Sequence, residues 1–234
     1  MEKEEKEDGK KEESDEKKKI TQEDKENQGK DSDRRRDREV IWLITILTII
    51  ILSFFSTIWI SQEAKKFDYE GYMFTKEKFG DIPIYSTIIT GYNQEGAPIN
   101  FKLNLRNDPR ELDVPFNGNL SFIEGKPLYF SINITSDIHE CGSLALVSLG
   151  QFMNGIGKKM VTGITTQEEA NQYKKLHINC DNAKDATTVV LTKGDKTEII
   201  QSESNPQCYV LKVNNCEIIE AIERFEIETL KEIK

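Results

Sequence analysis

Residues 40 to 60 read VIWLITILTIIILSFFSTIWI, twenty-one residues without a charge. This stretch decides the architecture. As a helix it is about 31 Å long, which matches a hydrocarbon core of about 30 Å. The only two tryptophans of the chain, Trp42 and Trp59, lie near its two ends. An indole has an apolar body and one N–H donor and favours the headgroup boundary, so the pair marks two membrane interfaces. A buried core helix would present a polar or packed face. Here eight isoleucines surround the axis and charged residues stand on both sides. A cleaved signal peptide has a shorter apolar run, about 7 to 15 residues, followed by a small-residue cleavage site. The stretch predicts a permanent single-pass transmembrane helix over 40–60.

On the N-terminal side of this stretch, residues 1–39 hold 13 Lys/Arg and 16 Asp/Glu, with Met1 and Ile20 as the only apolar side chains. Such a segment cannot offset the entropy of folding and is expected to be a disordered, charged tail. Arg34, Arg35, Arg36 and Arg38 precede the helix, whereas Lys65 and Lys66 follow it. The excess places the tail in the cytoplasm and the C-terminal domain outside the cell membrane. Asp31, Asp33, Asp37 and Glu39 cancel most of the attraction that the arginines would have for anionic lipid. A net charge of -9 over 234 residues also argues against a nucleic-acid partner. The partners expected are the lipid bilayer and an envelope or surface protein. The oligomeric state is open, because Ser53-x-x-x-Thr57 is too weak a small-residue motif to imply helix pairing.

Toward the C-terminus, residues 61–83 form an aromatic-rich juxtamembrane segment with Phe67, Tyr69, Tyr72, Phe74 and Phe79. Its 67/69 and 72/74 spacing around Glu70-Gly71 favours a small core hairpin over a bilayer-resting strip. Residues 84–234 are expected to be an α+β extracytoplasmic domain, with a β-hairpin-rich N-terminal half and a mixed strand/helix C-terminal half. Ile99, Phe101, Leu103 and Leu105 alternate with polar residues, as do Leu128, Phe130, Ile132 and Ile134. Turns at Gln94-Glu95-Gly96 and Glu124-Gly125-Lys126 would pair these strands with 84–92 and 118–123. Leu144–Met153 reads as a short buried helix stopped at Asn154-Gly155. Thr166-x-x-Glu169 reads as a capping box that opens a helix to Leu176. Thr187–Thr192 and Thr197–Ile200 read as a hairpin and Tyr209–Val213 as a strand. Glu217–Lys234 reads as an amphipathic helix with Ile227 off its apolar stripe.

All four cysteines lie after the helix, as expected on an oxidising side. If 208–213 is a regular strand it carries the chain some 16 Å, and three further residues cannot bring Cys216 back to Cys208. That leaves Cys141 and Cys180 shared in some order with Cys208 and Cys216 in two structural disulfides. Asn119 and Asn133 head Asn-x-Ser/Thr sequons and are glycosylation candidates. Asn133 would point away from the core. The competing reading is a metal-binding or redox ectodomain, because His139 beside Cys141 and His177 beside Cys180 make a Cys₂His₂ set suited to zinc or copper. Neither spacing fits a finger or knuckle, and no Cys-x-x-Cys is present.

The catalytic motifs are incomplete. Gly150-x4-Gly155 lacks the lysine of a P-loop, and Gly155-Ile156-Gly157 lacks a third glycine. An envelope hydrolase would have to use His139 or His177 with Ser143, around which no nucleophile elbow is visible. Arg106-Asn-Asp-Pro-Arg-Glu111 puts two guanidinium groups at a strand-ending turn, where Asp108 and Glu111 are placed to neutralise them. No cofactor is implied.

The segments Arg106–Pro115 and Cys208–Phe225 resemble those of uncharacterised single-pass membrane-anchored proteins of small-genome archaea, a likeness that covers most of 65–228. The resemblance implies an archaeal cell surface and carries no activity. The expectation is a membrane-anchored extracytoplasmic binding or envelope-assembly protein without catalytic activity.

Overall fold

The computed structural model describes residues 40–61, 63–92, 97–133 and 138–233, except the side chains of 138–141. The tail expected to be disordered and the turn at 94–96 lie outside the described residues. The chain divides into two compact units, 1–63 and 64–234.

In the first unit, α1 (Val40–Ser61) is a 22-residue helix of mean hydropathy 2.4 with none of it buried. It is long and apolar enough to cross a membrane. Its three threonine hydroxyls are satisfied within the helix: Thr45, Thr48 and Thr57 each donate at 2.8 Å to the carbonyl four residues back. Each such bond spares a hydroxyl from facing an apolar medium unpaired.

The second unit begins with a four-stranded antiparallel meander, β1 (Lys66–Tyr69), β2 (Tyr72–Phe79), β3 (Ile82–Tyr92) and β4 (Pro98–Leu105). Glu70 and Gly71 both have positive φ, 53° and 76°, which makes the two-residue turn between β1 and β2. Phe67 stacks on Phe74, and Phe74 is fully buried, so the aromatic stretch is core. The division expected between residues 83 and 84 falls within β3. The expected β3–β4 hairpin forms, in register from Tyr85↔Leu105 to Tyr92↔Pro98.

A second sheet of seven strands follows, in the order β5-β10-β11-β9-β6-β7-β8. These are β5 (Phe116–Asn117), β6 (Leu128–Ile132), β7 (Met160–Ile164), β8 (Leu176–His177), β9 (Thr188–Lys193), β10 (Glu198–Gln201) and β11 (Cys208–Val213). Strands β8, β7, β6, β9 and β11 run parallel, and β10 returns antiparallel to β11. Two helices, α2 (Ile138–Gly155) and α4 (Ile218–Glu232), pack on one another between the sheets, while α3 (Gln167–Tyr173) lies against β7 and β8. Tyr72 donates its hydroxyl to the Leu230 carbonyl at 3.0 Å, and the Phe101 and Phe152 rings meet at 6.4 Å. One hydrophobic cluster runs through all three layers. The first sheet and α2 come to backbone contact where Gly91 meets Gly155. A Cβ on Gly91 would sit 1.8 Å from the Gly155 carbonyl oxygen.

Several expectations are corrected. Residues 118–123 form no strand with 128–134. β6 is instead central and parallel, and its alternation is covered on both faces, with Ser131 fully buried. The segment before it is held by side chains: Tyr209 accepts the Ser121 N–H at 2.9 Å and Thr187 Oγ1 accepts the Ile123 N–H at 3.0 Å. β9 and β10 are not a hairpin, because β11 lies between them and Gly194 donates its N–H to Val213 at the crossing. Four connecting residues fit a hop over one strand as well as a tight turn. α2 is longer than expected and half-wet, with Leu144 and Val147 exposed. α3 stops at Tyr173, where Lys174 turns left-handed and Leu176 enters β8; the Thr166 hydroxyl bonds Glu169 and not the backbone. Ile227, off the apolar stripe of α4, is buried, so α4 is covered on both sides.

Candidate functional site

Of the residues singled out from sequence, Cys180 and Cys208 form a disulfide with Cα atoms 5.4 Å apart. Cys216 is disulfide-bonded as well, and among the described residues no cysteine is free. The Cys180–Cys208 pairing is one of those that the strand argument left open. The side chain of Cys141 lies outside the described residues, as does that of His139. With Cys180 oxidised, the Cys₂His₂ set lacks one of its thiolates. His177 is held by neutral partners: its Nε2 lies 3.1 Å from the Thr165 carbonyl oxygen and its Nδ1 3.1 Å from the Asn182 amide nitrogen. Among the described residues no group of three or more potential ligands assembles. Ser143 is exposed on α2.

Asn119 is exposed in the segment after β5, and its carbonyl accepts the Tyr209 hydroxyl at 2.8 Å. Asn133 is half-buried at the carboxyl end of the central strand β6, not on a hairpin edge. Trp42 and Trp59 are 69% and 71% exposed on α1, so both indoles face outward. In the turn after β4, Asp108 takes two bonds from the Arg110 guanidinium, at 2.9 and 2.6 Å, and this partner holds its carboxyl below the ordinary range. The Arg110 guanidinium also lies 3.8 Å above the Phe67 ring and is structural. Arg106 is different, because it lines a cleft.

That cleft, about 310 Å³, opens between β4, α2 and α4. Its polar wall comes from Asn104, Arg106, Ser148, Gln151 and Glu223. Leu144 and Val147, 65% and 56% exposed, form its apolar lip. Glu223 reaches from α4 to the end of β4. Its carboxylate accepts the Arg106 N–H, the Asn107 N–H at 3.1 Å and the Asn107 side-chain amide at 2.8 Å. One turn on, Glu226 is fully buried behind the cleft wall. Ser148 donates to Glu226 Oε1 at 3.4 Å, and Oε2 has no partner among the described residues. Burial pushes both carboxyls up, Glu226 the more strongly, with the charge of Glu223 adding to the effect. The cleft therefore offers charged, amide and hydroxyl groups beside apolar surface, which suits a peptide-like ligand.

The sequence reading missed Ser148, Glu223 and Glu226. The available signal was Ile227, which shares its helix face with Glu220, Glu223 and Arg224. An isoleucine there means that the face is covered. No protein-family model matches this chain, and no match was found among curated proteins or solved structures.

Proposed function

We propose that the chain is a membrane-anchored binding module of an archaeal cell envelope, with no catalytic role. α1 holds it in the bilayer, residues 1–39 lie in the cytoplasm and residues 64–234 lie outside. The cleft between β4, α2 and α4 takes a peptide segment of a surface partner. The observation that carries this reading is the cleft itself, an apolar lip at Leu144 and Val147 beside a polar wall of Asn104, Arg106, Ser148, Gln151 and Glu223. The arginine excess before α1 and the oxidised cysteines after it support the orientation.

The test is site-directed photo-crosslinking of the full chain in its native membranes, with the photoreactive residue at Val147 or, as a control, at exposed Lys184. The expected result is a discrete adduct from position 147, lost on Leu144→Asp and not seen from position 184. Equal adducts from both positions would refute the cleft. A turnover that disappears with Ser148→Ala, Ser143→Ala or His177→Ala would refute the non-catalytic reading.

A further inference from the structure

The end of the β2–β3 hairpin carries two apolar side chains with none of the domain beneath them. Phe79 and Ile82 are register partners across the Gly80-Asp81 turn. They are 78% and 48% exposed, and every residue from Lys76 to Pro83 is exposed. A Cβ on Gly80 would meet nothing within 4 Å, so the tip projects clear of the body. Tips of soluble hairpins are built from polar turn residues. A phenylalanine and an isoleucine side by side at such a place cost free energy for as long as water covers them.

The strand register says which way this finger points. Lys66, the first residue of β1, pairs with Thr75, and β2 continues four residues further to Phe79. At about 3.3 Å per residue the tip lies about 13 Å past the start of β1. Only residues 62–65 separate Ser61, the last residue of α1, from Lys66, which limits that span to about 18 Å. The finger thus leaves the first sheet at the end where the chain arrives from its apolar helix.

We propose that Phe79 and Ile82 enter the lipid interface and form a second membrane contact, with Lys78 against lipid phosphates, whereas Lys76 lies over the Tyr85 ring. The proposal rests on reading α1 as a membrane anchor. Two apolar side chains bind a bilayer weakly by themselves. A tether this short raises their effective concentration at the surface to about the millimolar range or above, so a weak contact suffices. Asp81 in the turn keeps penetration shallow, because a carboxylate stays among the headgroups. Glu77, the nearest other acid on β2, is already paired with Lys102 at 2.8 Å. The consequence is a domain held at two points and therefore fixed in orientation over the membrane.

The test uses the full chain in vesicles of mixed zwitterionic and anionic phospholipid, with or without bromine on the upper acyl chain. One protein keeps Trp42 and Trp59 and reports on the anchor. The other carries Trp42→Phe, Trp59→Phe and Phe79→Trp and reports on the tip. The expected result is loss of emission in brominated vesicles for both proteins, with the loss at the tip reversed by Ile82→Asp. Quenching of Trp42 and Trp59 without quenching at position 79 would overturn the tip contact and leave the anchor standing. Quenching of neither would overturn both. A blue-shifted but unquenched indole at position 79 would mean that another protein or a second copy covers the tip, which also overturns the proposal.

Discussion

Glu226 is a carboxyl group with no relative exposure and one weak donor, and its proton affinity is raised well above the ordinary value of 4.5. The native state therefore keeps a proton that the unfolded chain has lost. This contribution to stability is fully present below about pH 4.5 and is lost as pH rises through the raised native pKa. Glu223 acts in the same direction, opposed by its three hydrogen bonds. Glu226→Gln keeps the shape and removes the charge. We expect it to stabilise the protein by about 1–3 kcal/mol at pH 7 and to have no effect near pH 4. Denaturant unfolding across that pH range measures the difference; destabilisation at pH 7 would show that Glu226 is ionised and paired. Glu223→Gln should gain less, because a charged acceptor is the stronger partner for the two backbone N–H groups at the end of β4.

At the scale of elements, the disulfide joins β11 to the segment that returns from β8 to β9. Thr188 donates to the Ala183 carbonyl at 3.1 Å and Asn205 to the Cys180 carbonyl at 2.9 Å, which fixes the rest of that return. Replacing Cys180 and Cys208 together by serine removes a cross-link spanning 28 residues, and we expect a loss of about 2–4 kcal/mol in denaturant unfolding. Elements with local signatures were legible in the sequence. The β3–β4 hairpin followed from its period of two, and α4 from its apolar stripe and its leading acids. β6, β9 and β10 were legible as strands but their partners were not, because parallel neighbours are chosen by distant segments and the same alternation fits either kind of sheet. The cleft was illegible for a related reason. It draws on β4, α2 and α4, which together span more than a hundred residues of sequence, and no contiguous motif announces it.

At the scale of the whole molecule, an apolar helix separates a 39-residue charged stretch from the larger folded unit. The proposed orientation gives a direct expectation. Protease added to sealed cells should leave an epitope fused before Met1 intact, and detergent should expose it. Cleavage of that epitope in sealed cells would invert the topology.

The strand order has a consequence for synthesis. β11 is the last strand of the seven to be made, yet it is inserted between β9 and β10, both completed before it. Until residues 208–213 emerge, the sheet is two fragments with facing open edges, and Cys208 is not there to close onto Cys180. In the proposed orientation, a chain still threading through a translocation channel would have no finished core to jam it. Folding waits for the C-terminal strand, and a nascent chain cut short before residue 208 would leave two unpaired strand edges open to aggregation.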